Sequence, residues 1–393
     1  MAIESFGTER SSRRLRLGMV GGGRGAFIGA VHRMAARIDD KYTLVAGALS
    51  ANEENARASA SDLHIDEGRT YADFREMAKA ESERDDGIDV VSIVTPNHLH
   101  FDVAKAFLEA GIHVICDKPM TMTLEEAREL ARLVKEKDRF FMLTQNNTGY
   151  PMVRQAREMV ASGELGEIQV VRVSYVQDWL TTALDREGQK QAAWRTDPKL
   201  AGVGGSIGDI GVHAFNLAAF VTGLELDSVC ADLRSYVEGR ELDDNANVLL
   251  RYANGASGTL WASQVAPGNY NRLSIGVYGT TGGLEWVGED NDNLTWTPLG
   301  EPSRQITRGG PGALEVANVV TRMPPRHPEG YIEGFGNLYS DAAELIGARI
   351  EGREPQALAR GVPTVEDGVA GLAFIEACVR SSGNGASWAT LER

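Results

Sequence analysis

Cysteine is scarce. Three residues, Cys116, Cys230 and Cys378, occur in a chain of 393, and their odd number, wide spacing and apolar neighbours point to reduced buried thiols rather than a disulfide framework or a cysteine-based metal site. Long hydrophobic runs are missing too. None approaches the ~18 residues of a membrane span, and the stretch from Met1 to Arg16 is polar and basic with no apolar centre, so a cytoplasmic protein without a secretory leader is expected. Positive charge is in deficit. Lys+Arg 40 against Asp+Glu 55 gives a formal net charge of −15, which argues against nucleic acid or an anionic membrane as the general partner. The sequence shows no internal repeats, and only the Gly- and Pro-rich segment 298–313 reads as a loose loop. What remains is ordinary: 42% hydrophobic and 24% charged residues, enough for a full core, in a length that suggests two domains.

Leu15 to Val20 reads as a strand that breaks into Gly21-Gly22-Gly23-Arg24-Gly25-Ala26-Phe27-Ile28-Gly29, with a helix from Ala30 to Ile38. Strand, glycine loop and helix are the context of dinucleotide binding, because glycines let the backbone turn and approach a pyrophosphate whose charge meets the N–H groups at the helix start. Gly21, Gly23 and Ala26 fit G-x-G-x-x-G/A read strictly; with an insertion, Gly29 takes the third place. A plain flexible turn is the alternative. The next strand, Tyr42 to Leu49, ends on Ser50, where a ribose-binding Asp or Glu would stand. No Arg occupies that tip for a 2′-phosphate, so NAD is favoured over NADP, with Arg24 or Arg57 as the contacts if NADP binds.

Helices at 53–61 and 72–82 precede a buried strand from Ile88 to Val94, which runs into Thr95-Pro96-Asn97-His98-Leu99-His100. Proline cannot continue a central strand, so polar groups are set at the sheet's carboxyl edge. After a helix from Phe101 to Ala110, ended by Gly111, the run Ile112-His113-Val114-Ile115-Cys116 delivers Asp117-Lys118-Pro119 to the same edge, where open α/β sheets bind ligands. A helix at 124–137, with Thr123 and Glu126 in a capping-box pattern, and a strand from Phe140 to Thr144 complete a doubly wound parallel sheet of Rossmann type.

The grammar then changes. After a helix at 151–162, strand-like runs at 168–178, 227–237, 245–253, 257–265, 272–278 and 282–287 indicate an α+β domain with a large, mostly antiparallel open sheet. Its outer face is rich in Val, Leu, Trp and Tyr and is expected to pair copies of the chain into a homodimer or homotetramer. Helices at 330–347 and 364–382 close the chain. The expected domains are 1–147 and 148–393, the last helix being free to pack back on the first. One constellation here carries chemistry: Gly204-Gly205-Ser206-Ile207-Gly208-Asp209-Ile210-Gly211-Val212-His213 opens a helix. Asp209 and His213, at i and i+4, share a helix face, and a carboxylate beside an imidazole makes a general base near neutral pH. A capping Asp with a core His is the competing reading. A metal site lacks a third ligand nearby.

The glycine loop after Val20, Thr95-Pro96 with His100, Ala110-Gly111-Ile112-His113-Val114 before Asp117-Lys118-Pro119, and Asp209-x-x-x-His213 together resemble the glucose-fructose oxidoreductase / inositol dehydrogenase / rhizopine-catabolism (Gfo/Idh/MocA) family over nearly the whole chain. The resemblance implies an NAD(P)-dependent dehydrogenase acting on a secondary hydroxyl of a sugar, sugar derivative or cyclitol. It implies that His213 takes the hydroxyl proton as hydride leaves the same carbon, that Asp209 holds this histidine, and that Lys118 hydrogen-bonds the substrate oxygen. Cofactor contacts would come from Gly21, Gly23, Arg24, Ala26, Ser50, Thr95, Asn97, His100, Asp117, Lys118 and Asn146. Substrate contacts would come from Lys118, Tyr150, Trp194, Arg195, Asp209 and His213, with no metal. Arg195 is the candidate for an anionic group, a structural salt bridge being the alternative. The family's usual Glu-Lys-Pro is Asp-Lys-Pro here, which keeps the lysine and shortens the acid's reach. Two other activities share these motifs. One is an NAD-dependent glycosidase, with anionic or sulfonated sugar glycosides among its substrates. The other is a non-catalytic nucleotide-binding regulator, against which the joint presence of Lys118, Asp209 and His213 argues.

Overall fold

A computed structural model describes residues 13–392; most of the polar amino-terminal stretch read above, residues 1–12, lies outside them. The chain forms two compact units. One runs up to Thr121, resumes over Glu125–Gly149 and is completed by Tyr331–Val369; the other comprises Met122–Leu124, Tyr150–Gly330 and the chain from Ala370 onward.

The first unit holds β1 (Leu15–Gly21), β2 (Tyr42–Ala48), β3 (Val90–Val94), β4 (His113–Cys116) and β5 (Phe141–Leu143). All pair parallel, in the order β2-β1-β3-β4-β5. Every residue of β3 and β4 is buried, as strands covered on both faces require. The order reverses between β1 and β3, so the switch point falls at the glycine loop and the Thr95 turn, where ligands of such sheets bind. Local chemistry sets the helix ends. Asn52 Oδ1 accepts the Asn55 N–H at 2.8 Å at the start of Glu53–Asp62, and Gly111, at φ +78°, follows the helix His100–Glu109.

The helix Tyr331–Glu351, expected in the second domain, belongs to the first unit. Its Phe335, Leu338, Tyr339, Ala342 and Ile346 share one apolar core with Leu15, Leu17, Val31, Val90 and Ile115. A polar knot adds to this core. The His32 ring nitrogen Nδ1 lies 2.8 Å from the Tyr339 hydroxyl, Ser92 Oγ lies 2.9 Å from the same hydroxyl, and Tyr42 donates to the Tyr339 carbonyl at 2.7 Å. Helical periodicity announces this element; it carries no information about which sheet the element covers. Of the last helix, Val365–Gly383, residues to 369 group with the first unit and the remainder with the second.

One buried histidine of this unit makes stability depend on pH. His113 accepts the Phe140 N–H at 2.9 Å, and burial, helped by Arg139 and Arg349, lowers its pKa to about 4. The unfolded chain takes up this proton first, at about pH 6.5. The stabilisation is therefore complete above about pH 6.5 and is lost as pH falls toward 4, a span worth ~3 kcal/mol. Urea midpoints measured across that range should fall with acid. His113→Asn, which keeps an acceptor in the Nδ1 position and does not titrate, should flatten that part of the slope.

The second unit is built on nine strands in the order β13-β12-β11-β10-β6-β9-β8-β7-β14. They are β6 (Ile168–Val176), β7 (Leu226–Arg234), β8 (Asn245–Tyr252), β9 (Ser257–Ser263), β10 (Arg272–Gly279), β11 (Gly282–Val287), β12 (Asn293–Pro298), β13 (Arg304–Thr307) and β14 (Ala389–Thr390). Only β6 and β9 pair in parallel. The segment 298–313, expected as a loose loop, is instead anchored. β13 pairs with β12, and the next residue, Arg308, is fully buried. Its Nε donates to Asp292 Oδ1 at 2.6 Å, and its Nη1 donates to Glu329 Oε1 and the Met323 carbonyl, both at 2.8 Å. Arg308→Met should lower unfolding free energy by ~3–5 kcal/mol in urea titrations, because it leaves the buried Glu329 carboxylate without its cation and also unpairs the partly exposed Asp292; a loss below ~1 kcal/mol would count against the anchor. No helix among the described residues is long and apolar enough to cross a membrane.

Candidate active site

In the first unit the glycine loop is shaped by close backbone approach. Gly21 and Gly22 sit at φ +81° and +74°, a Cβ on Gly21 would lie 2.8 Å from the Val94 carbonyl, and one on Gly29 would lie 2.4 Å from Gly22 Cα. The glycine that lets the helix Phe27–Ile38 press on the loop is thus Gly29, the reading with an insertion; Ala26 is the residue preceding that helix, and its N–H reaches the Gly23 carbonyl at 3.0 Å. Gly23 also has no room for a side chain, which would meet the Leu49 carbonyl at 2.8 Å and Ser59 Oγ at 2.9 Å. Beside the loop, the buried hydroxyl of Thr95 has no hydrogen-bond partner among the described residues. A loop packed so closely that Gly21, Gly23 and Gly29 leave no room for a Cβ, together with an orphaned hydroxyl at the switch point, fits a bound dinucleotide.

The other residues expected at the cofactor divide. Arg24 is engaged elsewhere: its Nε and Nη2 donate to Asp62 at 2.6 and 2.7 Å, and this contact raises the guanidinium pKa. Ser50 Oγ accepts from the Asn52 N–H at 3.1 Å and from Asn55 Nδ2 at 3.2 Å, fixing the start of the following helix. Asn97 and Asn146 are buried in the turns after β3 and β5. Both ring nitrogens of His100 lie against main-chain carbonyls, Nδ1 2.7 Å from Pro119 and Nε2 2.9 Å from Thr95.

Asp117 and Lys118 stand at the carboxyl end of β4. Thr144 Oγ1 donates to Asp117 Oδ1 at 2.8 Å, and His32 Nε2, fully buried, lies 3.9 Å from the same oxygen. Burial raises the Asp117 pKa, but His32, His100 and Lys118 outweigh it and hold the carboxylate well below its ordinary range. The shorter acid stops short of hydrogen-bond distance to His32, so Asp117 acts on that ring as a charge.

In the second unit Asp209 lies in a π-helical turn, Ile207–Gly211, and His213 in the α-helix Val212–Thr222 that continues it. A simple i,i+4 α-helical face was expected; the wider turn is a form common at functional sites. Asp243 nails this turn down, accepting from Gly205 N–H at 2.6 Å, Ser206 Oγ at 2.6 Å and Ile207 N–H at 2.8 Å. A Cβ on Gly205 would fall 2.0 Å from the Asp243 carbonyl, which is why glycine precedes the turn. Asp209 Oδ2 accepts from Gln264 Nε2 at 2.8 Å and pairs with Arg195 Nε at 3.3 Å. Arg195 therefore makes the salt bridge rather than standing alone for an anion, and it stacks 4.2 Å over Trp194. The His213 ring lies 5.9 Å from that of Tyr175. Tyr150 packs its ring against Trp286 at 5.5 Å.

Gln264, Asp243, Ser59 and Gly29's pairing with Gly22 were not read as site residues. Gln264 had one local signal, a polar residue directly after the alternating strand β9. Asp243 had none, since the residues it holds lie 36–38 positions earlier.

A family profile described as an oxidoreductase family with an NAD-binding Rossmann fold matches residues 15–145, and one for the GFO/IDH/MocA C-terminal domain matches residues 153–285. An uncharacterized oxidoreductase of Bacillus subtilis (strain 168), YfiI, is 35% identical over 96% of this chain and 97% of its own length. The crystal structure of an oxidoreductase from Sinorhizobium meliloti superposes with a TM-score of 0.87 at 52% identity, covering 96% of this chain and 99% of that one. An inositol dehydrogenase homologue from Azotobacter vinelandii, crystallised with NADH and myo-inositol, gives a TM-score of 0.90 at 34% identity over 98% of this chain and 99% of its own.

Proposed function

Because the chain belongs to the Gfo/Idh/MocA family of NAD-binding oxidoreductases, we propose that it moves a hydride between the nicotinamide and a secondary hydroxyl carbon of a sugar or cyclitol. The observation that carries this reading is the Asp209–His213 turn. A histidine at a helix start, four residues after a carboxylate held by Arg195 and Gln264, is suited to taking a proton. NAD, when bound, supplies the hydride acceptor, and Gly21, Gly22, Gly23 and Thr95 would hold it. His213 removes the hydroxyl proton, and Asp209 orients the ring and stabilises its charged form. Lys118 donates to the substrate oxygen and stabilises the charge that develops there. The pairing of Arg195 with Asp209 favours a neutral polyol over an anionic sugar.

Incubating the purified protein with NAD, myo-inositol and a panel of free sugars should give net NADH, read by absorbance. Release of aglycone from chromogenic glycosides with no net NADH would replace this reading with the redox-neutral glycosidase. A bound nucleotide with neither activity would replace it with a regulator.

A further inference from the structure

We propose that His100 is a positioning residue for Lys118, holding the turn after β4 against the turn after β3 through the Pro119 carbonyl. The inference rests on the reading that Lys118 acts on the substrate oxygen.

The ring of His100 is 1% exposed, on the first residue of the helix His100–Glu109. Nδ1 is 2.7 Å from the Pro119 carbonyl and Nε2 is 2.9 Å from the Thr95 carbonyl. Both oxygens can only accept, so contact with both takes the doubly protonated ring, while a neutral ring has one N–H to give. Burial lowers the pKa of this ring, against the pull of Asp117, and the brace requires that the one N–H of the neutral ring be on Nδ1, facing Pro119. Lys118 is thereby bracketed. Before it, the Asp117 N–H donates to the Ile93 carbonyl at 3.0 Å and its carboxylate accepts from Thr144; after it, the Pro119 carbonyl is held by His100. Thr95, whose orphaned hydroxyl marks the dinucleotide cradle, has its carbonyl beside the other nitrogen of the same ring. One side chain thus joins the strand end that meets the cofactor to the strand end that carries the lysine. Displacement of a reacting group by about 1 Å can cost ~10²-fold in rate, so the brace acts on turnover rather than on binding.

The two donors can be separated chemically, because asparagine places its amide nitrogen near the Nδ1 position and glutamine near Nε2. His100→Asn should keep kcat for the best polyol of the panel within about threefold. His100→Gln and His100→Phe should each lose about tenfold or more in kcat, with KM and the NAD dissociation constant, read by intrinsic fluorescence, within about threefold of wild type. Equal kcat in the Asn and Gln variants would overturn the proposal, as would a loss of NAD affinity and thermal stability in parallel with kcat. If Lys118→Ala is inactive while His100→Phe turns over normally, the brace is wrong and the function stands. If Lys118→Ala is fully active, the function itself falls.

Discussion

His213→Ala and Lys118→Ala should each cut turnover of a polyol by ~10²-fold or more, with NAD affinity within about threefold of wild type. The two losses have different chemical origins. Without His213 the hydroxyl proton has no base close by, and the carbon cannot release hydride before that proton begins to leave. Without Lys118 the developing negative charge on the oxygen has lost its cation. Raising the pH should recover part of the His213→Ala rate, since hydroxide substitutes for a missing base, and should do little for Lys118→Ala. Asp209→Asn should lose less than either, because it keeps an acceptor for Gln264 while removing the charge that Arg195 pairs with. Near-wild-type rates in both alanine variants would sink the catalytic assignment.

Gly29→Val should weaken NAD binding by about tenfold or more and lower the unfolding free energy by ~1–3 kcal/mol. The first side-chain carbon would stand 2.4 Å from Gly22 Cα, a clash between main chain and Cβ that no rotamer relieves. Either the helix or the loop must move, and the loop is what the pyrophosphate would rest on. Gly25→Ala is the matching control. Gly25 also has positive φ, +83°, but nothing lies within 4 Å of its Cβ position, so it should cost only about 1 kcal/mol and leave NAD affinity near normal. Equal NAD affinities in the two variants would contradict the packing role of Gly29.

Much of the first unit was legible because its signals are local. Periodicity, the proline after β3, Gly111 at a helix end and the glycine loop each act within a few residues of where they appear. The dipeptide Asp117-Lys118 could be placed at a strand end for the same reason. What could not be read are contacts that span the chain. Tyr339 bonds to residues some three hundred and some two hundred and fifty positions earlier, His32 and Ser92, so the helix was visible and its sheet was not. Arg308 looked like one charge in a Gly- and Pro-rich stretch; only the folded chain brings Asp292 and Glu329 to it. Arg24 and Arg195 are candidate ligand contacts in the sequence, with a structural salt bridge the alternative for Arg195, and carboxylates at 38 and 14 positions' remove, Asp62 and Asp209, hold them. His100 was recognised as a site residue by resemblance, while its partners, two main-chain carbonyls, leave no trace in a sequence.

The divided make-up of the first unit bears on how the protein is made. Its sheet leaves the ribosome within the first 149 residues, but the helix that covers one face of it, Tyr331–Glu351, comes after the 181 residues from Tyr150 to Gly330. Until then Leu15, Leu17, Val31, Val90 and Ile115 lack the apolar side of Phe335, Leu338 and Ile346, and His32 and Ser92 lack the Tyr339 hydroxyl. The nascent sheet must wait with an uncovered greasy face. A fragment stopped at Gly149 would carry the entire glycine loop and Lys118 and still precipitate, whereas splicing residues 331–369 onto it would return the missing cover.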